Sequence, residues 1–149
     1  MGGNPSKKRV IVLDDELEMR IFISNLLNAN GFKTIDLADA RLAMQLARQR
    51  HPALIILNAM MASGEGVQIY GRFKRDRQLK EIPMLLLSTI DCRTLFFYRK
   101  RLHQTSNFRL PQPDAYLRKP LEGEELLALV HRLAYNRRSV GAGIQLKGV

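Results

Sequence analysis

The chain has 149 residues, of which 46% are hydrophobic and 26% charged; this suffices for one domain with its own core, and a second folded domain is not expected. Such a composition excludes a collagen-like or disordered chain, the apolar runs fall short of the roughly 20 residues a membrane helix needs, and the single cysteine, Cys92, excludes an internal disulfide. The formal net charge of +10 predicts attraction to phosphate backbones, anionic lipid or acidic protein surfaces without choosing among them.

Residues 1–6 lack the apolar stretch of a signal peptide, so a flexible N-terminus and a cytoplasmic location are expected. Arg9–Leu13 is an almost continuous apolar run ending in carboxylates, which suits a strand covered on both faces. Met19, Phe22, Ile23, Leu26 and Leu27 then recur at helical spacing and predict one buried face, with Gly31 as the stop. Lys33–Leu37 reads as a second strand. Asp39 caps a second helix whose inward face is Leu42, Ala43, Leu46 and Ala47, and Pro52 ends its register.

Ala53–Leu57 is a third buried strand, followed by a loop containing Gly64 and Gly66 and a shorter helix through Val67, Tyr70 and Phe73. Met84–Leu87 is the fourth strand and Ala115–Arg118 the fifth. The last helix aligns Leu126, Leu127, Val130, Leu133 and Ala134, with Glu124 and Glu125 in its first turn, where the helix dipole favours negative charge. Residues 136–149 form a basic, glycine-containing tail without an apolar period.

Strand and helix therefore alternate through five units, and parallel strands need such crossovers. The expected architecture is α/β, a doubly wound five-stranded parallel sheet with helices on both faces, spanning residues 7–135. In a sheet of this kind, ligands bind at the carboxyl ends of the strands. The polar residues collect there: Asp14 and Asp15 after the first strand, Asn58 after the third, Ser88 and Thr89 after the fourth, Lys119 and Pro120 after the fifth.

Asp14 and Asp15 admit two readings: caps of the first helix, or hard oxygen ligands for a partly hydrated magnesium ion. Lys119 suits a phosphoryl oxygen or a carboxylate partner, and Ser88 can donate a hydrogen bond to that same oxygen. Tyr116 reads equally as an amphipathic ring at a sheet edge.

Taken in order, Val10-Ile11-Val12-Leu13-Asp14-Asp15-Glu16, Leu54-Ile55-Ile56-Leu57-Asn58-Ala59-Met60-Met61, Ser88-Thr89 and Tyr116-Leu117-Arg118-Lys119-Pro120 resemble the receiver domains of bacterial two-component systems, the CheY-like response regulators. The resemblance covers about residues 7–135 and implies the flavodoxin-like strand order 2-1-3-4-5. It further implies that Asp14, Asp15, Asn58 and the backbone carbonyl of Met60 surround magnesium, that Lys119 and Ser88 contact a phosphoryl group, and that Ser88 and Tyr116 form a switch pair. The implied partner is a sensor histidine kinase or other signalling protein. A homodimer through the family's fourth helix, fifth strand and fifth helix is implied as well.

Three departures stand out. Asn58 occupies the family's phosphoacceptor position, and a carboxamide cannot serve as the oxygen nucleophile that forms an aspartyl phosphate. One negative charge is lost from the pocket, so weakened magnesium binding is expected. Two histories give this pattern, an engineered substitution or a natural pseudo-receiver. Ala62 stands where the family usually has proline, and the stretch from Leu95 through Pro113, with the aromatic and basic residues Phe96 to Arg109, is longer than usual.

The expected function is that of a single-domain regulator in a phosphorelay, blocked at its acceptor, working through protein contacts and not as an enzyme. A magnesium-dependent phosphoryl-transfer enzyme would need a nucleophile that the strand ends do not supply. The alternative is a basic nucleic-acid-binding module, although no DNA- or RNA-binding motif is recognisable. The second basic group, Arg72, Lys74, Arg75, Arg77 and Lys80, is expected to mark the end of the third helix and an exposed loop.

Overall fold

The computed structural model describes residues 6–61, 65–95 and 110–135. Ala62, the aromatic and basic stretch from Phe96 to Arg109, and the tail after Tyr135 lie outside the described residues. The elements are β1 (Lys8–Leu13), α1 (Leu17–Asn28), β2 (Phe32–Leu37), α2 (Ala40–Arg50), β3 (Leu54–Asn58), α3 (Gly66–Arg75), β4 (Met84–Ser88), β5 (Ala115–Arg118) and α4 (Gly123–Tyr135). A further helical turn opens at Cys92 before the chain passes beyond the described residues.

All strand pairs are parallel, and the sheet order is β2-β1-β3-β4-β5. The expected doubly wound sheet is thus the observed one. Strand alternation divides the apolar residues into two cores. Ile11, Leu13, Ile55, Leu57, Leu86 and Tyr116 face α2 and α3. Val10, Val12, Leu54, Ile56, Leu85, Leu87, Ala115 and Leu117 face α1 and α4. Burying each large aliphatic side chain contributes about 1.5–3 kcal/mol, so both faces must stay covered.

Local chemistry sets the element ends. Asp39 accepts from the Leu42 N–H at 3.0 Å and starts α2. His51 ends it in the left-handed region at φ 49°. After α1, Gly31 adopts φ 91°, a conformation that costs glycine little, and turns the chain into β2.

Two helical faces differ from expectation in the same way. Phe22 is 42% exposed and Leu42 45% exposed. Each precedes a fully buried residue, Ile23 or Ala43, and one step along a helix rotates by about 100°, carrying the preceding side chain out of the core. Ser24 and Met44 turn inward instead.

Gly66 is the first residue of α3 and not part of the loop. A Cβ there would lie 2.2 Å from the Ala59 carbonyl oxygen, so only glycine allows α3 to start against the chain leaving β3. Of the second basic group, Arg72, Arg75, Arg77 and Lys80 are exposed as expected, but Lys74 is withdrawn. Its ammonium lies 3.6 Å from Asp114, with side-chain exposures of 8% and 5%. The long aliphatic stem lets the residue leave the helix end and reach the start of β5.

Candidate functional site

The parallel sheet places the ends of β1, β3, β4 and β5 along one edge, and it brings Asp14, Asp15, Asn58, Ser88 and Lys119 to that edge. Asp14 is buried, with its Oδ1 accepting from the Glu16 N–H at 2.9 Å and from Asn58 Nδ2 at 3.0 Å. Asn58 Nδ2 also reaches Asp15 Oδ1 at 3.4 Å, while its Oδ1 accepts from the Met60 N–H at 2.9 Å. These neighbours fix the amide orientation. Reversed, the oxygen would face two carboxylates and the nitrogen another donor.

Lys119 supplies positive charge from the far strand. Its ammonium is 3.2 Å from Glu16 Oε1 and 3.9 Å from Asp14 Oδ2. The Lys119 N–H donates to the Ser88 carbonyl at 2.8 Å, which holds β5 against β4 at this point. Burial pushes the Asp14 carboxyl above the usual carboxylate range, opposed by the Glu16 N–H, Lys119 and Asn58. Asp14 Oδ2 is buried without a hydrogen-bond partner.

Ser88 is fully buried, its Oγ accepting from the Ile90 N–H at 3.1 Å. Tyr116 is buried too, on the edge strand β5. Its hydroxyl donates to the Ile90 carbonyl at 2.9 Å, so both residues hold the same loop after β4. Burial pushes the Tyr116 hydroxyl up to about 12.

Glu16 and Arg20 belong to the site although the sequence reading gave them no role. Glu16 is the partner of Lys119, and Arg20 donates to the Asp14 carbonyl at 2.8 Å while lying 3.5 Å from Asp36. A third acid directly after Asp14 and Asp15 was the available signal for Glu16. Arg20 carried none, because its contact depends on how α1 leaves the strand.

The donor set suits a hard divalent cation. Carboxylate oxygens of Asp14, Asp15 and Glu16 lie within 4.8 Å of one another, and Asp14 Oδ2, which accepts no hydrogen bond, is an available ligand atom. Asn58, implied as a further ligand, turns its Nδ2 toward the two carboxylates.

A doubly wound parallel sheet with an acidic pocket and a lysine at its carboxyl edge defines a receiver-type α/β domain. The family model for the response regulator receiver domain matches residues 10–131, and the chain belongs to that family. It is 28% identical over 123 residues to the phosphate regulon transcriptional regulatory protein PhoB of Escherichia coli, covering 83% of this chain and 50% of PhoB. It is 32% identical over 83 residues to the polar-differentiation response regulator DivK of Brucella ovis, covering 56% of this chain and 67% of DivK. A 25% identical match to histidine kinase P4 of Formosa agariphila covers 91% of this chain but 9% of that kinase. The chain therefore spans a small part of the kinase and half of PhoB.

In fold, the chemotaxis response regulator CheY4 of Vibrio cholerae superposes with a TM-score of 0.67 at 24% identity, covering 85% of this chain and 98% of that one. Receivers are modules of two-component signalling that bind magnesium at an acidic pocket and interact with histidine kinases and other signalling proteins. Among the described residues no helix is long and apolar enough to cross a membrane.

Proposed function

We propose that this chain is a receiver whose phosphoacceptor position is held by Asn58, so that it signals through protein contacts without forming an aspartyl phosphate. The observation carrying this reading is the Asn58 carboxamide, donating to both Asp14 and Asp15 where an acceptor would have to attack. A carboxamide oxygen is a poor nucleophile at phosphorus.

The remaining residues keep the roles the family implies. Asp14 and Asp15 would hold magnesium, with the Met60 carbonyl as a further ligand, and the ion would supply positive charge able to neutralise a phosphoryl group at the pocket. Lys119 and Ser88 contact that group, and Ser88 with Tyr116 forms the switch. Asn58 weakens magnesium binding by removing a charge and by turning donor hydrogens into the pocket. The partners are a sensor histidine kinase or another signalling protein, with cytoplasmic action. Self-association through the β5 face would also involve the family's fourth helix, and residues 96–109 lie outside the described residues.

The test is incubation with acetyl phosphate and magnesium, followed by intact mass measurement of the protein and of its Asn58→Asp variant. A base-labile phosphoryl group on the variant alone is the expected result. Its appearance on the unaltered protein would overturn the proposal.

A further inference from the structure

We infer that the outer face of α2 and α3 is a docking surface for the phosphate backbone of duplex nucleic acid, gripped without reading its sequence. Neither helix contains a carboxylate, yet together they present five exposed arginines, Arg41, Arg48, Arg50, Arg72 and Arg75. Both helices pack through the same apolar core onto the same side of the sheet. Arg48 pairs with Asp76 at the end of α3, which joins the C-terminal ends of the two helices into one surface.

Helix dipoles account for only part of this distribution. They favour cations in last turns, where Arg48, Arg50, Arg72 and Arg75 lie, but disfavour Arg41 in the first turn of α2. First-turn acids are present in α1, as Glu18, and in α4, as Glu124 and Glu125, yet absent from α2 and α3. With Lys74 withdrawn toward Asp114, the cations these two helices turn to solvent are all guanidinium groups, whose planar fork matches phosphate oxygens.

The surroundings favour a duplex. Tyr70 and Phe73 are buried, so these helices expose no ring on which unpaired bases could stack. Leu42 is their one large exposed hydrophobic side chain, little to anchor a protein partner or enter a lipid surface. A duplex backbone requires only cations on rigid elements. The 11-residue α2 and the 10-residue α3 are each about 15–16 Å long, and side by side they match about four phosphates, for a salt slope near −3.6.

The experiment is fluorescence anisotropy of a labelled mixed-sequence DNA duplex with the full chain across a salt series. Arg41→Gln combined with Arg72→Gln is compared with Lys33→Gln combined with Arg132→Gln. All four residues are exposed, and both pairs lower the net charge equally. Circular dichroism verifies that both variants are folded. The first pair should lose about tenfold in low-salt affinity and reduce the salt slope by about 2, while the second stays within about twofold of the parent. Equal losses from both pairs, no binding at low salt, or tighter binding to an acidic peptide or to anionic vesicles than to the duplex would each overturn the inference.

Discussion

Asn58 Nδ2 donates to Asp14 Oδ1 across 3.0 Å, so the end of β3 is tied to the buried carboxylate at the end of β1 by a neutral side chain. A carboxylate at position 58 would bring like charges within hydrogen-bond distance, which either a bound cation or a captured proton must relieve. Asn58 supplies a donor hydrogen instead. The pocket is thereby satisfied in part by the chain's own atoms, with Lys119 on its other side.

Asn58→Asp is accordingly expected to lower stability in chelator by about 1–3 kcal/mol, through loss of the donor and the added repulsion. Magnesium should reverse much of that loss, because an ion that binds the folded state stabilises it by mass action. Thermal unfolding with and without magnesium checks this. A variant whose midpoint responds to the ion no more than the parent's would contradict it.

Asp14→Asn should act in the opposite direction. The asparagine keeps the Oδ1 acceptor for Glu16 and Asn58 and removes a charge that burial disfavours. A rise in Tm is expected, together with weaker magnesium binding. A destabilised variant would mean that attraction to Lys119 outweighs the desolvation of Asp14.

The strands and the edge they share were legible in the sequence because apolar runs such as Leu54–Leu57 end abruptly in polar residues, and that pattern survives without tertiary information. Helical faces were legible to within one residue. Phe22 and Leu42 sit where a hydrophobic side chain fits the spacing but lies at the flank of the buried arc, and only the packing decides. The Lys74–Asp114 pair was not legible, since it joins residues far apart in the chain. The amide orientation of Asn58 likewise depends on the Met60 N–H, which no residue pattern encodes.

Gly66→Ala tests the close approach at the start of α3. The new Cβ would meet backbone atoms of Ala59 at 2.2, 2.5 and 2.7 Å, and backbone cannot step aside as a flexible side chain does. A loss of about 3 kcal/mol in urea unfolding is expected, at the upper end of overpacking costs. Little change in stability would show that α3 can shift without penalty.

Asp114→Ala would leave the Lys74 ammonium buried beside the Lys80 and Ile82 carbonyls and strip the Met84 N–H of its acceptor. Removing one partner of a buried pair costs about 3–5 kcal/mol. Asp114→Asn retains an acceptor for Met84 and should cost less. Chemical denaturation of both variants distinguishes a charge-dependent role from a purely hydrogen-bonding one, since equal losses would assign the whole effect to the lost charge beside Lys74.

Acid should dissolve the link between α2 and α3. The Arg48 guanidinium beside Asp76, helped by the Gln78 N–H at 2.8 Å, holds the Asp76 carboxyl below its ordinary 3.8. A carboxyl whose folded pKa is lowered contributes stability that is full above the unfolded value and is lost as pH falls through the folded one. With side-chain exposures of 40% and 17%, the contribution is limited by solvent screening to about 1 kcal/mol. Asp76→Asn should therefore be less stable than the parent at neutral pH, and the two urea midpoints should converge as pH drops below 3.8. Curves that stay parallel through the acid range would place the origin of the Asp76 contribution in the Gln78 turn and not in its charge.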